Sequence, residues 1–117
     1  MYRLYLLLRG YRENDKETKT MKEKNIIQSI KAYLKTLENC FCFKTHGGYY
    51  GTAGIPDIVA CVSGRFVAFE VKAEKGKTTP LQEKCLNQIR EAGGVAEVVR
   101  SVAEVRAVIQ NLTGGER

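Results

Sequence analysis

The stretch "GIPDIVACVSGRFVAFEVK", residues 54–72, sets Asp57, Glu70 and Lys72 inside or at the edge of two apolar runs. If Ser63 and Gly64 form a two-residue hairpin loop, Val62 pairs with Arg65 and the register puts Asp57 directly across from Glu70. Both carboxylates then lie on one face. Side chains alternate along a strand, so Lys72 shares that face with Glu70 while Val67, Phe69 and Val71 line the other. A three-residue loop would shift the register by one. Like charges facing each other across a hairpin repel, and burial raises the cost, so a cation is expected between them. Lys72 supplies part of that charge. A Mg²⁺ or Mn²⁺ ion supplies more, because hard divalent ions take carboxylate, carbonyl and water oxygens and need neither His nor Cys. The spacing fits equally a solvated acidic face with a surface Glu–Lys pair.

Two further polar residues bear on that choice. Glu23 falls in line with Ile27, Ile30 and Leu34 on a helical wheel, which points it toward the sheet. It also ends a T-x-x-E begun by Thr20, where its carboxylate would close a capping box. Gln82, third after Thr79, has the same two options: closing its own box or turning its amide toward the acids.

The elements that must position these groups follow from periodicity. Ile26, Ile27, Ile30, Tyr33, Leu34 and Leu37 recur at helical spacing and predict an amphipathic helix over about 21–38. "CFCFKTH" alternates like a strand, "GGYYGTAGIP" is a glycine-rich loop, and "DIVACV" and "RFVAFEVKA" are the hairpin strands. Thr79 and Pro80 open a helix of about 80–92 that Gly93 and Gly94 end. "VAEVV" is a short strand. Ser101 and Glu104 repeat the capping signature before a last helix with Val102, Val105, Val108, Ile109 and Leu112 on its apolar face. Three strands on short links form an antiparallel meander, and the last strand joins through a helical crossover. The resulting fold class is α/β, with a mixed central sheet flanked by helices.

A chain of 117 residues suits one domain, and 44% apolar against 27% charged residues suits a globular one. Nineteen Lys and Arg against 13 Asp and Glu give +6, which favours an anionic partner such as nucleic acid. Cys40, Cys42, Cys61 and Cys85 contain no C-x-x-C, and His46 is the only histidine, so a zinc site is not expected. The cysteines read as reduced, small buried hydrophobes in a cytoplasmic setting. The start, "MYRLYLLLRGYREND", is too short to span a bilayer and lacks a small-residue cleavage site, so no membrane is expected. Met21 opens "MKEKNIIQSIKAYL" like a natural start. The expected division is therefore an N-terminal extension over 1–20 and a domain over 21–117.

The run from Gly54 to Val105 resembles the virus-type replication-repair nuclease (VRR-Nuc) domain of the PD-(D/E)XK superfamily. Pro56-Asp57 matches that family's P-D, Glu70-Val71-Lys72 its E-x-K, Gln82 its helix glutamine and Glu23 the acid of its first helix. The likeness extends over about 21–105. It implies a restriction-endonuclease-like core and a metal-dependent endodeoxyribonuclease. Asp57, Glu70, the Val71 carbonyl and Glu23 would hold Mg²⁺ or Mn²⁺, directly or through water. Lys72 and Gln82 would orient water or meet the phosphate. It further implies a DNA substrate, branched as in four-way junctions, a homodimer, no organic cofactor, and a bacterial or phage-infected cytoplasm. Lys75, Lys77, Lys22, Lys24 and Lys44, with Lys84 and Arg100, are candidate phosphate contacts. Tyr49 and Tyr50 would stack on bases or anchor their loop, and His46 would sit near the phosphate or make a structural hydrogen bond. A nucleic-acid-binding or recruitment module on the same fold, without catalysis, is the competing reading.

Overall fold

The computed structural model describes residues 19–46 and 54–114. The apolar periodicity after Thr20 becomes helix α1, Met21–Lys35. It ends three residues before the expected 38, because the Thr36 N–H returns to Tyr33 and Leu34 and its hydroxyl donates to the Tyr33 carbonyl at 2.6 Å. Leu37 lies beyond the helix yet still packs on the core. Strands β1 (Cys40–Lys44), β2 (Ile58–Val62) and β3 (Arg65–Val71) follow, then helix α2 (Pro80–Glu91), strand β4 (Val95–Val99) and helix α3 (Val102–Gly114). The sheet order is β1-β2-β3-β4, antiparallel for the first two pairings and parallel for the last. Meander and crossover are as the link lengths demand.

The hairpin loop sets the register on which the acids depend. Ser63 and Gly64 both take positive φ, 49° and 84°, as a two-residue type I′ connection requires, and Val62 faces Arg65. Continued one step past Ile58 and Phe69, that pairing brings Asp57 across from Glu70. Thr45 prolongs the β1–β2 ladder to the same level: its N–H donates to the Asp57 carbonyl at 2.9 Å and its hydroxyl to that of Pro56 at 2.6 Å.

Helices cover both sheet faces, but unequally. Ile27, Ile30 and Leu34 of α1 and Val105, Ile109 and Leu112 of α3 pack on Val67, Phe69 and Val71. On the other face Leu86 of α2 meets the small Ala68 and Ala96 over β3 and β4. Among the described residues no helix covers the β1–β2 part of that face, where Phe41, Phe43 and Cys61 are exposed, as is Phe66 at the start of β3. The expectation of buried cysteines therefore fails at Cys61, which the register aligns with Phe41 and Phe66 on the uncovered face. Cys40 and Cys42, one residue out of phase with Phe41, pack against the core instead. All four thiols are free. Among the described residues no helix is long and apolar enough to cross a membrane.

Ser101 accepts the Glu104 N–H at 3.2 Å, but Glu104 reaches the Arg100 N–H at 2.7 Å rather than that of Ser101, so the third capping box is displaced by one residue. The loop leading to Asp57 is held differently. Gly54 has φ +80°, and a Cβ there would stand 2.6 Å from the Leu81 carbonyl oxygen at the start of α2. Gly93 has a similar φ, +95°, in open space. Gly93→Ala is therefore expected to cost only the left-handed backbone strain, about 1 kcal/mol, and Gly54→Ala about 3 kcal/mol once the backbone clash is added. Urea titration of both variants checks this; equal losses would show that the Leu81 contact simply gives way.

Candidate active site

Among the described residues the buried polar or charged side chains are Glu23, Glu70, Lys72 and Gln82. All four converge on one end of the sheet. Strand β3 delivers Glu70 and, just past its end, Lys72; the approach to β2 delivers Asp57; the first turns of α1 and α2 deliver Glu23 and Gln82. Charges this deep must be paired or hydrogen-bonded. The Lys72 N–H donates to the Val99 carbonyl at 3.0 Å, which carries the β3–β4 ladder one residue further and fixes the lysine's backbone.

The cation expected between the acids is present, and it is Lys19. Its Nζ lies 2.6 Å from Glu70 Oε2 and 3.0 Å from Asp57 Oδ2, and it also donates to the Val71 carbonyl. Gln82 Nε2 donates to the same Glu70 oxygen at 3.3 Å, and Lys72 Nζ stands 3.5 Å from it. Asp57 Oδ2 in turn accepts the Val71 N–H at 2.7 Å, locking the two strands at this level. Burial pushes the Glu70 carboxyl up and the charge of Asp57 pushes the same way; Lys19 opposes both without offsetting them. Burial alone would lower Lys19, but Glu70 and then Asp57 outweigh it and hold the ammonium above its ordinary range.

Glu23 and Gln82 each take both options that the sequence left open. Gln82 Oε1 accepts the Thr79 N–H at 2.9 Å, closing the capping box, while its Nε2 serves Glu70. Glu23 Oε1 accepts the Thr20 N–H at 3.1 Å and its Oε2 the Ala73 N–H at 2.9 Å, tying α1 to the residue after Lys72. Asp57, Glu70, Val71, Lys72 and Gln82 are thus brought together, and Glu23 stands behind them on backbone N–H groups. Among the described residues no group of three or more His, Cys, Asp and Glu side chains is placed to share a metal ion. The oxygens that meet at Lys19 do suit a hard divalent cation: two carboxylates and a carbonyl converge on one positive charge. The Lys19 ammonium occupies the point where they meet.

Lys19 escaped the sequence reading, which assigned it to the extension over 1–20. The signal for it was indirect: a cation was required between Asp57 and Glu70, and Lys19 directly precedes the cap of the helix that carries Glu23. Lys22, Lys24, Lys44, Lys75, Lys77 and Lys84 are exposed, as is His46. Arg100 is committed elsewhere. Its Nη1 donates to the carbonyls of Ala73, Glu74 and Gly76 at 2.6, 3.4 and 2.9 Å, bracing the turn after Lys72. Tyr49 and Tyr50 lie outside the described residues.

The mixed four-stranded sheet with its flanking helices is a core of the restriction-endonuclease-like kind, and family membership makes the domain nuclease-type. The chain belongs to the VRR-NUC domain family, whose match runs over residues 10–103. A solved structure described as a VRR_NUC domain is 27% identical and superimposes with a TM-score of 0.65, covering 78% of this chain and 97% of that one. A second, described as a VRR_NUC domain protein, is 18% identical with a TM-score of 0.62, covering 80% and 89%, and supports the fold. A comparison with curated proteins returns no significant match.

Glu23 generates a pH prediction. Burial would raise its carboxyl, but the Ala73 and Thr20 N–H groups, with Lys19 and Lys72 nearby, hold it below the usual carboxylate range. A depressed folded-state pKa stabilises above the unfolded value and is lost as pH falls through the folded one. Glu23→Gln is therefore expected to lower stability by about 1–3 kcal/mol at neutral pH. The gap from wild type should close as pH falls below the carboxylate range, read from denaturant midpoints in EDTA. A gap that persists in acid would contradict the charged latch.

Proposed function

We propose that the chain is a Mg²⁺- or Mn²⁺-dependent endodeoxyribonuclease that hydrolyses phosphodiester bonds in branched DNA such as four-way junctions. The observation that carries this reading is the convergence of Asp57, Glu70 and the Val71 carbonyl on a single cation position, with Lys72 buried beside it. In this reading those three groups hold the metal, with Glu23 joining through water. A divalent ion bound there supplies charge neutralisation at the phosphate and a water of lowered pKa. The Lys72 ammonium orients the attacking water or meets the charge that grows on the phosphate. The Gln82 amide, fixed at its other end by the cap, holds the Glu70 carboxylate in place.

Exposed Lys75 and Lys77, on the turn after Lys72, with Lys22, Lys24 and Lys44, bring the phosphate backbone to an otherwise acidic site. Tyr49 and Tyr50 are placed by this reading against bases or the branch point. A homodimer with two-fold symmetry would present two such sites to two strands. The domain would be residues 21–117 and the extension 1–20, working on DNA in the cytoplasm of a bacterial or phage-infected cell.

One observation favours the other reading, a nucleic-acid-binding module. Lys19 bridges the two acids from within the chain and offsets part of their charge, so the fold does not require a metal to hold them together. Cleavage of four-way, linear and single-stranded DNA in Mg²⁺, Mn²⁺ or EDTA separates the two. Branched DNA is expected to be cut in either metal and not in EDTA, with Glu70→Gln and Lys72→Ala each slower by about 10²-fold or more. Cleavage that survives EDTA, or both substitutions, would sink the nuclease assignment of this site. Binding without cleavage in either metal would establish the module.

A further inference from the structure

We propose that Lys19 is a tethered cation that competes with the divalent ion for the Asp57, Glu70 and Val71 oxygens, so that metal loading requires this side chain to leave. The inference rests on the metal reading of the site and adds a residue that opposes it. Its basis is steric and electrostatic. The ammonium touches every oxygen assigned to the ion, at 2.6 Å from Glu70 and 3.0 Å from Asp57, and donates to the Val71 carbonyl. A Mg²⁺ coordinated to the same three oxygens would stand roughly 2.0–2.1 Å from each. Two positive groups do not fit in that space, and they repel. Lys72 approaches Glu70 from further off, 3.5 Å, beside the ion's position.

The tether makes the competition effective. Lys19 directly precedes Thr20, whose N–H and hydroxyl are both engaged by Glu23, the N–H donating to its carboxylate and the hydroxyl accepting its N–H, each at 3.1 Å. Glu23 is itself latched to Ala73 at 2.9 Å, one residue past Lys72. The backbone beside the lysine is therefore pinned next to the site, and its ammonium is presented at a high effective concentration. Its side chain is only 14% exposed, so bulk water does little to draw it away. Apparent metal affinity is then the intrinsic affinity multiplied by the fraction of molecules with the lysine out. In the metal-free protein the same ammonium relieves the repulsion between Asp57 and Glu70.

The test is Mn²⁺ titration by calorimetry, without DNA, on the wild-type chain, Lys19→Met and Lys19→Arg, with Glu70→Gln as the control for the site. Lys19→Met is expected to bind Mn²⁺ about tenfold more tightly or better, while Lys19→Arg, which keeps the charge, stays near wild type. Lys19→Met should also melt at a lower temperature without metal and gain more on adding Mn²⁺ than wild type does. Lys19→Gln carries the same comparison should Lys19→Met fail to fold without metal. Equal or weaker Mn²⁺ binding by the neutral variants, with binding still lost in Glu70→Gln, overturns the role of Lys19 and leaves the metal site standing. No Mn²⁺ binding by any folded variant or by wild type overturns both.

Discussion

Two carboxylates held face to face across a hairpin need a positive charge between them, and the rest of this molecule is arranged around that need. Asp57 and Glu70 sit opposite one another because Ser63 and Gly64 close the hairpin in two residues. Glu70 is buried, so repulsion is not relieved by water. The protein answers with Lys19 from ahead of the first helix, Lys72 from the same strand end and the Gln82 amide from the second helix. Three separate elements are thereby drawn to one end of the sheet.

Helix starts do much of this positioning. In a T-x-x-E or T-x-x-Q capping box the Glu or Gln side chain, third after the cap, ordinarily turns back on its own cap. Here each such side chain has a second polar atom and uses it. Gln82 sends its amide nitrogen to Glu70, and Glu23 sends its other oxygen to the Ala73 N–H. A local device for stopping helix fraying thus becomes a long-range clamp. Gly76 shows how close the fit is: a Cβ there would meet Glu23 Oε2 at 3.0 Å.

Where the sequence pattern was periodic it was also legible. The order of elements, the meander, the crossover, the hairpin register and the apolar faces of α1 and α3 all follow from alternation, helical spacing and turn residues. Departures occur where local signals meet tertiary geometry. Helix α1 stops early because Thr36 finds carbonyls to bond. Cys61 is exposed because α2 covers only part of its face. Arg100, one exposed-looking base among several in the sequence, is taken up by the turn after Lys72.

The sequence by itself determined that Asp57 and Glu70 would face each other if the hairpin closed in two residues, a condition the positive φ of Ser63 and Gly64 meets in the structure, and it marked Glu23, Lys72 and Gln82 as polar groups within apolar patterns. Tertiary structure alone decided what neutralises the pair. Lys19 lies 51 residues from Glu70 along the chain, and no periodicity connects them. Their meeting depends on how α1 packs across the sheet and on the Glu23 latch that holds its first turn against Ala73. Local spacing encodes faces and registers; a contact between distant elements is set by packing.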